Sequence, residues 1–226
     1  MYKNYFKRLF DIVSSGIALI ALFPIFAYLA YLVKTRLGSP VLFTQVRPGK
    51  DNKLFKMYKF RSMTDERDED GNLLPDDVRL TPFGKRLRES SLDELPELIN
   101  IFKGDMSVVG PRPQLVRDMV FFSDEEMQRQ SVLPGLTGLA QINGRNNISW
   151  EDKFKYDLQY IKDISFLEDM RIIYRTVFKV ANQDDINTDG METAEDYGDY
   201  LLRIGKIGKA EYDSNQSKAN KLINRM

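Results

Sequence analysis

Asp93 and Glu94, adjacent in Ser90-Ser91-Leu92-Asp93-Glu94-Leu95-Pro96-Glu97-Leu98-Ile99-Asn100, are the residues whose type and spacing best suit chemistry. The chain has no histidine and no cysteine. Acid–base or covalent steps therefore fall to carboxylates, lysines, hydroxyls or a metal. Lys85, Arg86 and Arg88 precede the pair and Arg112 follows it, a distribution suited to phosphate chemistry. The same residues admit a structural reading in which Ser91 caps a helix and Glu94 closes a capping box. Pro96 would then fall at the fifth helical position, where its missing N–H removes a helical bond. If the helix opens at Pro96 instead, Asp93 and Glu94 lie just ahead of its N-terminus, near free N–H groups that favour anions.

Several elements must position these residues. Residues 41–46 and 53–60 read as two strands around the turn Arg47-Pro48-Gly49-Lys50. Phe55, Met57 and Lys59 share one face, and Lys59 and Arg61 emerge at the strand end, either toward a site or as a solvated edge. Residues 64–77 are polar and acidic and read as a mobile loop. Thr81-Pro82 is an N-cap and N1 pair for a helix carrying Lys85, Arg86 and Arg88, and residues 96–102 form a helix stopped at Gly104. Val108-Val109-Gly110-Pro111-Arg112-Pro113 reads as irregular, with two prolines stiffening the backbone around Arg112. Glycines 135, 138 and 144 are spaced unlike a Walker A loop or a dinucleotide fingerprint. Residues 133–146 read as turns and a short strand delivering Gln141 and Arg145.

Ser149 caps a helix with apolar Trp150, Phe154, Leu158 and Ile161. A second helix over 166–180 places Leu167, Met170, Ile173, Val177 and Val180 on one face. Its Arg171, Arg175 and Lys179 form a stripe that either sits on anionic headgroups or is simply solvated.

At 226 residues, 42% hydrophobic and 29% charged, the chain can bury one sizeable core. Lys plus Arg equals Asp plus Glu at 33 each, so no global basic excess points to nucleic acid, and local clusters matter more than the sum. The lack of cysteine excludes disulfides and thiolate metal sites. Residues 12–33 are almost wholly apolar and, at ~1.5 Å per residue, long enough for a bilayer core of about 30 Å. Pro24 divides the stretch into halves of roughly 16 Å. Lys3, Lys7 and Arg8 flank one end, and Lys34 and Arg36 the other. The positive-inside rule keeps both ends in the cytoplasm, so a proline-broken re-entrant helix competes with a kinked spanning one, and Ser14, Ser15 and Gly16 are available to satisfy backbone groups freed at the break. The predicted fold is mixed α/β (α+β), mostly helical with a small sheet, a re-entrant membrane helix and amphipathic surface helices. Its divisions are an anchor over 1–38, a catalytic domain over 39–182 and a polar tail over 183–226, with 187–226 read as marginal helices and disorder.

The ordered motifs Lys59-Phe60-Arg61-Ser62-Met63, Ser91-Leu92-Asp93-Glu94-Leu95-Pro96, Gly104-Asp105-Met106-Ser107-Val108-Val109-Gly110-Pro111-Arg112-Pro113 and Pro134-Gly135-Leu136-Thr137-Gly138 resemble those of the bacterial sugar transferases, the monotopic phosphoglycosyl transferases. The resemblance implies that Asp93 is a nucleophile attacking the sugar-linked phosphate of a UDP-sugar, releasing UMP. Polyprenyl (undecaprenyl) phosphate would then accept the phosphosugar. Glu94 would complete the dyad, and Asp93 and Glu94 would hold Mg²⁺. Lys59, Arg61, Arg88, Arg112, Gln141 and Arg145 would bind substrate phosphates, Asp169 would line the site, and Pro24 would break the re-entrant helix. The enzyme would sit on the cytoplasmic face of the bacterial inner membrane, with membrane lipid, a homodimer partner and downstream glycosyltransferases as associates. Asn143-Gly144-Arg145-Asn146-Asn147-Ile148-Ser149-Trp150 resembles the branch that starts N-linked glycan assembly on diacetylbacillosamine, making that or a related N-acetylated amino sugar the expected donor sugar. The alternatives are a hexose for capsule or exopolysaccharide, and a noncatalytic membrane-anchored scaffold with an anion-binding patch.

Overall fold

A computed structural model describes residues 2–144, 148–182 and 195–226. Two helices of 15 residues each, α1 (Lys7–Ala21) and α2 (Phe23–Leu37), meet at Leu22 with a 64° bend. Pro24 lies in the first turn of α2, where a missing N–H removes no helical bond. The proline thus starts a second helix. Each arm reaches only about 22 Å, short of a bilayer core of about 30 Å, and no single helix among the described residues is long and apolar enough to cross a membrane. Ser14 and Ser15 do not serve the break as expected. Their hydroxyls donate one turn back, to the carbonyls of Phe10 at 2.7 Å and Asp11 at 2.6 Å.

After this pair, β1 (Leu42–Pro48) and β2 (Leu54–Phe60) form the predicted antiparallel hairpin, in register from Leu42 opposite Phe60 to Pro48 opposite Leu54. Alternation separates its faces: Phe55 and Met57 are buried against Leu98 and Ile101, whereas Phe60 is buried with Leu29, Val33 and Leu87. Helix α3 (Pro82–Glu89) is capped by Thr81, whose hydroxyl accepts from the Gly84 N–H at 3.1 Å. Helix α4 (Glu97–Lys103) opens after Pro96 and ends at Gly104, whose φ of +100° is left-handed and suits glycine. The stretch expected to be irregular from Val108 is a strand at its start. There β3 (Ser107–Val109) pairs in parallel with β4 (Gly135–Thr137), and irregular backbone begins only at Gly110.

Helix α5 (Trp150–Lys162) is capped by Ser149 and leads to α6 (Phe166–Asn182). The apolar face predicted for α6 is only partly its buried face, Ile173 packing against the core beside Ile172. Asp169 and Ile172 are fully buried, while Leu167 and Val177 are 79% and 61% exposed. Asp169 draws the helix around because three donors converge on it: Tyr2 Oη and Lys7 Nζ at 2.6 Å each, and Tyr160 Oη at 2.7 Å. Lys7 and Asp169 form a buried ion pair.

Helix α1 is similarly inverted, with Lys7, Asp11 and Ser15 buried and Leu9, Val13, Ile17 and Ile20 exposed. Arg8 donates to the carbonyls of Ile101 at 2.6 Å and Phe102 at 2.8 Å, at the C-terminal end of α4. Asp11 Oδ1 accepts from Ser107 Oγ at 3.0 Å and the Val108 N–H at 2.9 Å, on β3.

The described part of the polar tail is ordered structure, against expectation. Helices α7 (Tyr197–Arg203) and α8 (Lys209–Ile223) dock on the body, with Tyr197 and Leu201 buried against Trp150 and Phe154, and Ala219 against Val116 and Met119. Few apolar residues suffice because each is sealed. Replacing Asp169 with alanine leaves the Lys7 ammonium buried without a partner, and is expected to destabilise the chain by about 3 kcal/mol or more. Thermal unfolding in detergent measures this, and an unchanged midpoint would show that the Lys7–Asp169 anchor carries no weight.

Candidate active site

Ser91 holds left-handed backbone, with φ of 55°, at a cost on the order of 1 kcal/mol for a residue with a Cβ. The conformation ends the run from α3 and starts a tight helical turn, Leu92–Glu94, that folds Asp93 inward to 8% exposure. Ser91 makes no capping bond to this turn, and Pro96 occupies the N-cap of α4. The capping-box reading is thereby set aside, and the acidic pair precedes the helix.

Glu94 is the electrostatic centre. Lys59, near the end of β2, and Arg112, in the loop after β3, both donate to its Oε1, at 2.7 and 2.6 Å. Lys59 also stands 3.2 Å from Oε1 of Glu97, the first residue of α4. Burial alone would raise Glu94, but the charges of Arg112 and Lys59 outweigh it and hold its carboxyl far below the usual range. Burial, followed by the neighbouring Glu94 anion, pushes Asp93 up to about 6, against the restraint of Lys59, Arg88 and Arg112. Burial likewise raises Glu97 to about 7, with Lys59 opposing and Glu94 adding. The Lys59 ammonium is itself held above its usual range, since Glu94 and Glu97 outweigh its burial. Adjacent carboxylates with separated affinities for protons can take different roles.

Around this centre, Arg88 donates from Nε to Ser62 Oγ at 2.9 Å, and its charge lowers Asp93. Arg61 has a different partner. It pairs with Asp65 at 2.9 Å, four residues on. Gln141 lies on the single turn Leu139–Ile142, with both amide atoms buried and no hydrogen-bond partner for either among the described residues. Arg145 lies outside the described residues. The Asp169 carboxylate accepts from Lys7, Tyr2 and Tyr160 and secures the N-terminal segment. The sequence reading overlooked Glu97, although its spacing of four from Asp93 within an apolar run was a usable signal.

A divalent cation would find hard oxygen donors here. Among the described residues no group of three or more aspartate, glutamate, histidine or cysteine side chains could hold a metal, so these residues supply no closed cage. Asp93 and Glu94 do supply adjacent carboxylates. Mg²⁺ is commonly bound by one or two carboxylates with substrate phosphates completing its shell, so the donor set fits.

The family pattern described as bacterial sugar transferase matches residues 2–183. The chain belongs to the bacterial sugar transferase family. Among relatives of this family, EpsL of Bacillus subtilis, named an uncharacterized sugar transferase, is 49% identical over 84% of this chain and 94% of its own length. A UDP-glucose:undecaprenyl-phosphate glucose-1-phosphate transferase of Klebsiella pneumoniae is 45% identical over 77% of this chain, and 40% of that protein is covered. An undecaprenyl-phosphate galactose phosphotransferase of Salmonella typhimurium is 36% identical over 80% of this chain and 42% of its own length. The chain thus spans about two fifths of these last two relatives. The family match ends before α7 and α8 begin.

Because Lys59 restrains Asp93, Lys59→Met should move the Asp93 carboxyl above about 6. Carbon-detected NMR titration of the side-chain carboxyls reads this directly, and an unmoved or lowered Asp93 would contradict the electrostatic arrangement.

Proposed function

We propose that this sugar transferase moves a hexose-1-phosphate from a UDP-sugar to polyprenyl phosphate, with Asp93 as the nucleophile. The observation that carries the reading is the division of labour in the dyad. Glu94 is kept anionic by two cations, while Asp93 is buried, carries no hydrogen bond from those cations, and is raised only to about 6. At neutral pH Asp93 is mostly a carboxylate, poorly compensated, and so available to attack.

In the first step an Asp93 oxygen bonds to the phosphorus that carries the sugar, and the bond from that phosphorus to the bridging oxygen breaks, releasing UMP. In the second, a phosphate oxygen of the polyprenyl acceptor attacks the same phosphorus. The Asp93–phosphorus bond breaks, the carboxylate is restored, and polyprenyl-diphosphate-sugar is formed. Lys59, Arg88 and Arg112 offset charge on the phosphoryl oxygens, Arg112 through a fork suited to paired contacts. Bound Mg²⁺, held by Asp93 and Glu94, would neutralise diphosphate charge that otherwise repels an anionic nucleophile.

The glucose and galactose named for relatives favour a hexose over diacetylbacillosamine. The stretch that suggested the amino sugar includes residues 145–147, which lie outside the described residues. The bent α1–α2 pair supports a re-entrant anchor in the inner membrane. Its outward apolar residues, including Ile17, Ile20 and Phe23, and those of α6, including Leu167, Tyr174 and Val177, are exposed and would rest in and on one leaflet. The dyad would then face the cytoplasmic headgroup plane, where a soluble donor and a lipid-borne acceptor can meet.

The test is UMP release by the detergent-solubilised chain with Mg²⁺, undecaprenyl phosphate and each of UDP-glucose, UDP-galactose and UDP-diacetylbacillosamine. Turnover with a hexose donor is expected, reduced by about a thousandfold or more in Asp93→Asn. No turnover with any UDP-sugar would contradict transfer, and wild-type turnover by Asp93→Asn would remove Asp93 from the chemistry.

A further inference from the structure

Behind Arg112 stands a second arginine that the proposed reaction does not use. Arg129 donates to Asp157 Oδ2 from Nε at 3.0 Å and from a terminal nitrogen at 2.7 Å. The same terminal nitrogen donates to the backbone carbonyl of Arg112 at 2.7 Å. The two side chains are only 2% and 3% exposed. The guanidinium lies 5.5 Å from the ring centre of Phe122 and 5.9 Å from that of Phe154. Tyr197 of α7 packs on both rings, at 5.8 and 5.2 Å between centres. The next carbonyl, of Pro113, accepts from Arg47 at 3.1 Å.

Two guanidiniums therefore hold two consecutive carbonyls, while the side chain of Arg112 extends the other way to Glu94. A buried ion pair adds little net stability compared with apolar residues of the same volume, so packing alone does not account for Arg129 and Asp157. What an apolar pair would not do is hold the carbonyl of Arg112 in place. We infer that Arg129, oriented by Asp157, is a positioning residue that fixes the Arg112 backbone so that its fork stays aimed at Glu94 and an arriving phosphate. The inference rests on the phosphosugar-transfer reading. It also gives the C-terminal helices, which lie beyond the family match, a part in the site, since Tyr197 closes the aromatic wall around Arg129.

A double-mutant cycle on the full-length enzyme tests it, with UMP release giving kcat and KM and thermal unfolding as a control. Arg129→Lys, which cannot bind Asp157 and the Arg112 carbonyl in the same fork, is expected to lower kcat/KM by about a hundredfold, the cost of a misplaced contact group. If Arg129 acts through Arg112, the same substitution in an Arg112→Lys background lowers kcat/KM by less than about threefold. Equal losses in both backgrounds would mark a general structural role and overturn the inference, as would an unchanged kcat/KM in Arg129→Lys. If Arg129→Lys unfolds below the assay temperature, Asp157→Asn, which leaves the guanidinium in place, carries the same cycle with the same two outcomes. Wild-type enzyme without turnover would overturn the transfer reading itself, whereas turnover with additive losses would overturn only the role of Arg129.

Discussion

Lys59 and Arg112 place their charges on one oxygen of Glu94, 2.7 and 2.6 Å away, and much of the fold serves to bring those two cations to that atom. Without them Asp93, Glu94 and Glu97 would be three carboxyl groups in one partly desiccated place, each raised by burial and by its neighbours. With them the three separate, Glu94 charged and Asp93 and Glu97 poised higher. Lys59 comes from the hairpin, whose alternation buries Phe55 and Met57 on the same face of β2 and carries the lysine onward to α4. Arg112 comes from the loop that leaves β3, held at its carbonyl by Arg129. The acidic pair itself is aimed by a left-handed serine and released into a helix by proline.

The N-terminal helices are joined to this centre through polar contacts on the side that faces the body. Arg8 binds the last carbonyls of α4, the helix that begins with Glu97, and Asp11 binds β3, the strand that leads to Arg112. Lys7 meets Asp169 on α6. A helix that turns Lys7 and Asp11 inward and Leu9, Val13, Ile17 and Ile20 outward is the reverse of a soluble amphipathic helix over that stretch. The charged face is what ties α1 to the elements that carry the dyad.

Local signals were legible in the sequence. Thr81-Pro82, Ser149 and Pro96 each act within a few residues, and each marks an element found in the structure, whereas the turn expected at Arg47-Pro48-Gly49-Lys50 lies at Gly49–Lys53, because Arg47 and Pro48 pair with Phe55 and Leu54 in the hairpin. The dyad, Lys59 and Arg112 were legible because their types and order are unusual in a chain without histidine or cysteine. What was missed depends on partners far along the chain. Asp169 has partners 162 and 167 residues away, so its tie to the N-terminal segment is invisible in the local sequence. Strand β3 exists because Gly135–Thr137 pairs with it. Hydropathy alone does not register the α6 face that Asp169 shares with Ile172 in the buried interior. The tail reads as polar because its two helices dock through a few residues, Tyr197, Leu201 and Ala219, too sparse to register as periodicity.

The central claim is that a carboxylate freed by this charge arrangement becomes covalently bonded to the phosphosugar. Intact-protein mass spectrometry of the detergent-solubilised chain, incubated with Mg²⁺ and UDP-glucose or UDP-galactose but no lipid acceptor, tests it most directly. The expected result is an adduct of hexose-phosphate mass that maps to Asp93 and disappears when undecaprenyl phosphate is added. Absence of any adduct, with UMP appearing only once the lipid is present, would contradict it and indicate direct transfer between the two substrates.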